Sequence, residues 1–461
     1  MEPRMIPAQQ VVELALQAAS QSGRADETIV IVTDRAEASL RWAGNSMTTN
    51  GVSTTRSTTV ISIVRKGNTS HTGAVRSSDV NPAAIAVLVA AAEHAAHAAP
   101  DARDSAPLLT GSGTPDDWNE SIPETGAGVF ADVAESLSSG FGRTDRLYGY
   151  AHHVVETTFL ATSTGLRRRF TQPTGTVEIN AKRDGASAWA GISTPWFTEV
   201  PTDTLLDDLA MRLGWADRTV ELPAGRYETL MPPSAVADMM IYLGWSMDGR
   251  GAEEGRTALS APGGGTRVGE KLTHLPLTMY SDPFAPGLEC APFVAATSGS
   301  ETISVFDNGL DIGRVDWIRD GAINALAYPR AAASEFGTSV AVPADNLLMT
   351  GGSAELADMV ASTERGLLLT TLWYIRTVDP TTLLLTGLTR DGVYLIEDGE
   401  VTGAVNNFRF NESPLDLLRR ATEAGVPEQT LPREWGDWAT RAVMPTLRIP
   451  DFHMSSVSQA Q

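Results

Sequence analysis

The sequence predicts an α+β protein: an N-terminal half of helices and antiparallel sheet in two similar halves, then a β-rich C-terminal domain. Three observations predict this. Helix-period and strand-period segments alternate through the first 222 residues. The order helix, strands, helix occurs there twice, without sequence identity strong enough to prove duplication. After Pro223 short apolar runs separated by Gly, Pro and Asp turns take over. The expected division is therefore residues 1–222 and residues 223–461. At 461 residues the chain can bury two or three cores.

In the first half, residues 7–22 place Val11, Leu14, Ala15 and Ala18 at helical spacing, and Ser22-Gly23 ends the helix. Residues 28–32 are a β-branched run and read as a strand. Short strands are expected at 36–42, 52–55, 58–65 and 70–75, with Gly44-Asn45, Asn50-Gly51 and Lys66-Gly67-Asn68 as turns. Asn81-Pro82 opens an alanine-rich helix to about Ala98. Residues 99–124, rich in Pro, Gly, Asp and Ser, read as a surface loop. The order then recurs: a helix at 130–137, strands at 146–151, 154–162, 166–172, 176–183 and 187–192, and a helix at 204–215.

In the second half, residues 226–231 read as a strand, stopped by Pro232 and Pro233. A helix follows over 233–248. Val236, Met239, Met240, Leu243 and Met247 share one apolar face, and Gly249 and Gly251 are the expected stop. Strands are expected at 367–377, 383–386 and 393–396, with hairpin turns at 389–392 and 397–400. Residues 414–424 read as a last helix, and 455–461 as a loose polar tail.

Composition excludes several function classes. The formal charge of −21 argues against nucleic acid as a partner, because phosphate binding needs clustered Lys and Arg. Cys290 is the single cysteine, so neither an intrachain disulfide nor a cysteine-based zinc site can form. The start, MEPRMIPAQQ, has no signal pattern. The longest apolar run, 83–92, is far shorter than the roughly 20 residues a membrane span needs. A cytoplasmic protein with no membrane partner is expected.

Candidate chemistry is sparse. Glu93, His94 and His97 share one short helix, where a solvated helix face is the expected reading. His152-His153 lies in a strand, so its two rings point to opposite faces and cannot chelate one ion. His71, His274 and His453 are isolated. Pro262-Gly263-Gly264-Gly265-Thr266 lacks the G-K-[ST] of a phosphate loop and reads as a flexible loop able to cover a peptide groove. Asp282, Asp307, Asp311, Asp316 and Asp320 read mostly as turn residues, so no catalytic pair is named. Trp245, Trp317, Trp373, Trp435 and Trp438 lie in the C-terminal half, with core and interface equally open for Trp245.

The organising stretch is 223–250, PAGRYETLMPPSAVADMMIYLGWSMDGR. With RWAGNSMTTNGV (41–52), EEGRT (253–257), SDPFAPG (281–287), WYIRTVDPTTLLLTGLTRDGVYLIEDGEV (373–401) and PTLRI (445–449), it resembles the TldD/PmbA (TldD/TldE) metallopeptidase-related family. The resemblance spans nearly the whole chain and rests on the order and spacing of these marks. Catalytic members carry H-E-x-x-x-H on the equivalent helix; counting from Gly225 and Tyr227, those positions hold Ile241, Tyr242 and Ser246. Zinc needs imidazole, carboxylate or thiolate ligands, and water activation needs a base. These three residues supply neither. Catalytic members also use a cysteine before the PTLRI-like segment, where this chain has Trp435, Trp438 and Met444. Residues 292–298 depart from the family's acidic pattern.

The resemblance thus implies the non-catalytic TldE/PmbA-like branch, with no metal or cofactor of its own. Its implied partner is a TldD-like catalytic subunit in a heterodimer, or a second copy in a homodimer, and its implied substrate is unfolded peptide held by β-augmentation. A homodimeric peptide-binding protein without catalysis and a peptidase with an unrecognised site are the alternatives.

Overall fold

The structure, a computed structural model, describes residues 6–79, 81–142 and 145–458. The ends of the start and tail segments discussed above lie outside the described residues. Helix α1 (Ala8–Ser22) ends where Gly23 turns left-handed at φ 61. Strands β1 (Glu27–Ala43), β2 (Met47–Lys66) and β3 (Thr69–Ser77) follow, then α2 (Pro82–Ala98), whose first turn is capped by the Asn81 side chain. The second half repeats the plan with α3 (Ala131–Gly140), β4 (Arg146–Thr162), β5 (Arg167–Arg183), β6 (Ala186–Ser193) and α4 (Thr202–Trp215).

These six strands form one antiparallel sheet in the order β3-β2-β1-β4-β5-β6. A pseudo-twofold axis passes through the paired residues Ala36 and Val155. The registers match too: Glu27 pairs with Ile63 and Arg146 with Lys182, so both partners are displaced by 119 positions (146 − 27 and 182 − 63). The expected two similar halves are therefore present at the level of hydrogen-bond register.

The four helices cover one face of the sheet. Val30 and Val32 pack with α1 and α2, and Ala38, Leu40 and Trp42 pack with α3 and α4. The opposite face is apolar at one end, where Ile29, Ile31, Ile61 and Leu160 meet Phe293, Val305 and Phe306. At its other end it carries half-buried Arg35, Glu37, His152 and Glu156.

Several expected short strands fuse into long ones. Asn50-Gly51, read as a turn, lies inside β2 with Asn50 paired to Leu40 and Gly51 to Ser39. Continuous pairing with β1 overrides the local turn preference. The result is an arm, residues 47–55, exposed on both faces. β3 pairs only with residues 58–66, so the outer edge of this arm carries no strand among the described residues.

The second half runs through β7 (Thr219–Val220), β8 (Gly225–Met231), α5 (Pro233–Trp245) and α6 (Gly249–Glu253). It continues with β9 (Met279–Ser281), β10 (Val315–Arg319), β11 (Ala322–Ile323), α7 (Arg330–Phe336), β12 (Leu347–Met349) and α8 (Leu356–Ala361). Strands β13 (Arg365–Leu369), β14 (Leu372–Asp379), β15 (Leu384–Thr389), β16 (Val393–Glu397), β17 (Glu400–Val405) and β18 (Phe408–Glu412) follow. Helix α9 (Pro414–Arg420), β19 (Glu423–Thr430) and β20 (Ala442–Val457) complete it. The fourteen strands from β7 to β20 join one sheet, and α5 packs beside it in the largest apolar cluster.

Four expectations are corrected here. Helix α5 ends at Trp245, and Gly249 and Gly251 sit inside α6, whose start is capped by the Asp248 side chain bonding the Gly251 N–H at 3.0 Å. The run 367–377 is two strands: β13 pairs with β8 and β16, and β14 with β15. Residues 389–392 turn the chain but make no hairpin, because β15 and β16 pair with other strands. Helix α9 stops at Arg420, and the tail pairs as part of β20 as far as Val457. The 397–400 hairpin is as expected, with Asp398 at φ 50 and Gly399 at φ 83.

Candidate functional site

Helix α5 begins with Pro233 at its first position, where a missing N–H costs nothing. Almost every residue along it is buried, so it is held on all sides. The holding is polar as well as apolar. Asp238, fully buried, accepts the backbone N–H groups of Arg433 at 3.2 Å and Glu434 at 3.0 Å. Burial is the largest influence on this carboxyl and raises its pKa well above the ordinary range, against the lowering effect of those amides. Glu434 in turn accepts the N–H groups of Tyr374 at 2.8 Å and Ile375 at 3.2 Å and pairs with Arg376 at 3.1 Å. Helix α5, the 433–434 loop and β14 are thus pinned to one another.

The three motif positions line two adjoining clefts that share Trp245. Ile241, 3% exposed, stands at the wall of a cavity of about 440 Å³. Tyr242 and Ser246 line a separate cleft of about 280 Å³ with Asp248, Thr377 and Pro380. The Tyr242 hydroxyl donates to the Ile375 carbonyl at 2.7 Å, and burial raises its pKa. Ser246 donates to the Tyr242 carbonyl at 2.8 Å, one turn back. Trp435 comes alongside, in edge-on contact with Tyr242 at 5.6 Å and Trp245 at 4.7 Å between centroids. Each such pair contributes roughly 0.5–1.5 kcal/mol beyond area burial. An aromatic cluster therefore occupies the side of α5 that carries Tyr242.

The larger cavity has Trp245, Trp317 and Trp438 among its walls, with Asp345 and Arg441 as its charged groups. Trp317 is buried and its indole donates to Ser281 at 3.2 Å. Trp245 and Trp438 are 52% and 76% exposed, which decides the question left open for Trp245: it is not a core residue of this chain. Arg441, 2% exposed at its side chain, donates to the carbonyls of Glu289 at 3.1 Å and Pro173 and to Thr174 at 2.9 Å. Asp345 lies 3.7 Å from it, is open toward the cavity, and accepts from Gln172 at 2.9 Å. Crowding by protein raises the Asp345 pKa against the pull of Arg441, and burial lowers that of Arg441 against the pull of Asp345. Glu156, from the half-buried polar end of the first sheet, acts electrostatically on both. Sequence reasoning missed Asp345, Arg441, Asp238 and Glu434. No motif marks them, and they are joined only by tertiary folding.

The other candidates disperse. Glu93 is buried against Ser22, while His94 is exposed and His97 bonds the Arg24 carbonyl at 2.9 Å, so the group shares a helix but not a site. His153 is buried between Thr125 at 2.6 Å and the Pro195 carbonyl at 2.9 Å, and His152 turns the other way toward Glu37 at 3.7 Å. His71 bonds the Ala99 carbonyl at 2.8 Å; His274 is exposed, and His453 joins β20. Residues 262–266 are not among the residues lining either cleft next to α5.

Asp282 serves a turn, Asp311 pairs with Arg168, Asp316 bridges Arg314 and Arg319, and Asp320 holds φ 47 in a turn. Asp307 opens the expected turn, with its carbonyl accepting the Leu310 N–H at 2.8 Å and with Gly309 at φ 86, and its buried side chain pairs with Arg330 at 2.7 Å. Trp373 lies under Arg433 at 4.7 Å. Burial pushes the Cys290 thiol up to about 12. Among the described residues no group of three or more His, Cys, Asp and Glu side chains converges as a metal site would need. Nor is any helix among them long and apolar enough to cross a membrane.

Comparison with known proteins places this geometry. The sequence model of the PmbA/TldA metallopeptidase C-terminal domain matches residues 224–456, half of the chain. Among solved structures, TldE from Thermococcus kodakarensis superposes with a TM-score of 0.78 at 17% identity, over 96% of this chain and 99% of that one. A protein proposed to modulate DNA gyrase, from Thermotoga maritima, gives 0.74 at 14% identity over 97% and 100%. Another so described, from Bacteroides thetaiotaomicron, gives 0.75 at 13% over 97% and 99%. No curated protein matches. At these identities the structural likeness establishes the fold.

Proposed function

The chain belongs to the PmbA/TldD metallopeptidase family, and from that premise we propose that it is a TldE-like subunit without zinc chemistry of its own. It pairs with a zinc-bearing TldD-like subunit and helps hold unfolded peptide while that subunit cleaves or trims it. The observation that carries this reading is the content of α5. Ile241 and Tyr242 stand where catalytic relatives keep a ligand and a base, and Tyr242 is committed to the Ile375 carbonyl. The likeness in fold to a TldE supports the branch. Residues 1–222 would form a sheet wall, and residues 223–461 the domain carrying α5. The acidic balance of −21 fits a cytoplasmic protein that engages neither nucleic acid nor membrane.

The test is peptide cleavage by this chain alone, by a TldD-like subunit alone, and by the two co-expressed. Cleavage only where the TldD-like subunit is present, enhanced by this chain, is expected. Chelator-sensitive cleavage by this chain alone would overturn the reading in favour of an unrecognised peptidase. The aromatic cavity favours one second reading, a homodimeric peptide-binding protein; it would stand if the chain bound peptide but never copurified with such a subunit.

A further inference from the structure

We propose that the cavity between α5 and residues 438–441 takes one cationic side chain, arginine or lysine, of an extended peptide. This rests on the peptide-holding reading above and adds the class of side chain held. The walls come first. Trp245 and Trp438 present indole surface to a space of about 440 Å³, also bordered by buried Trp317, within the range of small-ligand pockets. These two rings stay 52% and 76% exposed, an arrangement that makes sense when something covers them. Indole is the best aromatic partner for a cation.

The carboxylate decides among ligands. The Asp345 side chain keeps 60% of its surface open and, among the described residues, has one hydrogen bond, from Gln172. An ionised carboxyl offers about four acceptor positions. Arg441 does not use them: at 3.7 Å it is outside hydrogen-bond range, and its N–H groups go to Glu289, Pro173, Thr174 and Thr440. Arg441 also lines the space, but its side chain is 2% exposed against 60% for Asp345, so the carboxylate is the more accessible of the two charges. An apolar ligand would fill the indole walls but desolvate the carboxylate without replacing its bonds, which is costly. An anion would meet Asp345 directly. A guanidinium or ammonium satisfies both wall and carboxylate, and the net charge of −21 draws cations toward the protein.

The test uses the full chain and three capped pentapeptides, acetyl-Ala-Ala-Xaa-Ala-Ala-amide, with arginine, citrulline or norleucine at the centre. Calorimetry and tryptophan fluorescence report binding. The arginine peptide should bind about tenfold tighter than the citrulline peptide, which keeps the shape and drops the charge. That advantage should shrink as salt is added. Asp345→Asn should bring the two peptides level, with an unchanged melting temperature as the control for folding. Trp438→Ala should weaken all three. Equal binding of arginine and citrulline by the unaltered chain overturns the proposal without needing any variant. Tightest binding of norleucine, or no binding at millimolar peptide, overturns it as well. The subunit reading fails separately, through loss of partner-dependent cleavage with the arginine preference intact.

Discussion

Ile241 stands between two environments. It is 3% exposed, packed on α5, yet its side chain borders the cavity. Ile241→Val should cost under about 1.5 kcal/mol, as small apolar trimming usually does. Ile241→Asp should be far worse, because a carboxylate there would be desolvated without a partner. Denaturant midpoints of the two variants check this; equal stability of Ile241→Asp and the parent would mean the cavity hydrates that position. Asp238 gives a pH signature. Burial raises its folded pKa, so the folded chain binds its proton more tightly than the unfolded chain does. Its contribution to stability is full below the ordinary carboxyl value near 4 and is lost as pH rises through the raised value. The melting-temperature gap between the parent and Asp238→Ala should therefore narrow as pH rises from about 4. A gap that widens over that window would mean the two backbone amides outweigh burial.

Helix α5 can be tested as an element. Ile241→His, Tyr242→Glu and Ser246→His together should not create a peptidase. The three changes supply two imidazoles and a base, and the third ligand would still be missing, because the chain has no cysteine near Pro445. Tyr242→Glu would also lose the bond to Ile375 and disturb the contacts with Trp245 and Trp435. Peptide cleavage by the triple variant with added zinc is the measurement, and robust cleavage would show a site better preserved than this packing allows. In the parent, elemental analysis should find well under one zinc per chain. A bound ion at 100 times its dissociation constant would add about 2.7 kcal/mol, so chelator should leave the melting temperature unmoved.

How legible these elements were depends on what surrounds them. Helices α1, α2 and α4 lie within about two residues of the sequence reading; α1 meets a left-handed Gly23 and α2 an Asn81 cap, while α4 has its apolar period alone. The long strands of the first sheet were read in pieces. Solvent-facing Thr, Ser, Asn and Gly in β2 imitate loops, and only the partner strand makes them a ladder. β20 went unread because Pro445 and Pro450 argue against a strand. It tolerates them beside irregular pairing at 424–427 of β19 and 449–452 of its own length. Of the candidate site, helix α5 was legible. The pairing of Asp345 with Arg441 was not, since nothing local connects positions 96 residues apart (441 − 345).

At the scale of the whole molecule, the two pseudo-equivalent arms of the first sheet have different fates. In β5 the outer stretch is held by the second half of the chain, through Arg168 to Asp311 and Pro173 and Thr174 to Arg441. Its counterpart, residues 47–55 of β2, is bare on both faces and, among the described residues, carries an open edge. A bare edge is a liability that soluble proteins cover, charge or pair, and this arm has no charged residue between 47 and 55. The chain is therefore expected to form a dimer, with itself or with a TldD-like subunit. Permanent interfaces bury on the order of 2,000 Å² or more. Light scattering at micromolar concentration should report a dimer; a stable monomer with and without the partner would contradict this.

β20 has a consequence in time. It pairs with β8, β12, β18 and β19, all of which precede it in the chain. The first sheet needs nothing beyond residue 193 for its six strands and can close early during synthesis. The second sheet must wait, holding unpaired edges at β8 and β12 until residues 442–457 emerge from the ribosome. At roughly 5–20 residues per second the interval from β8 to β20 lasts on the order of ten to forty seconds. For that span a nascent chain already folded at one end trails a half with its middle strand missing, and it is then that chaperones have the most to hold.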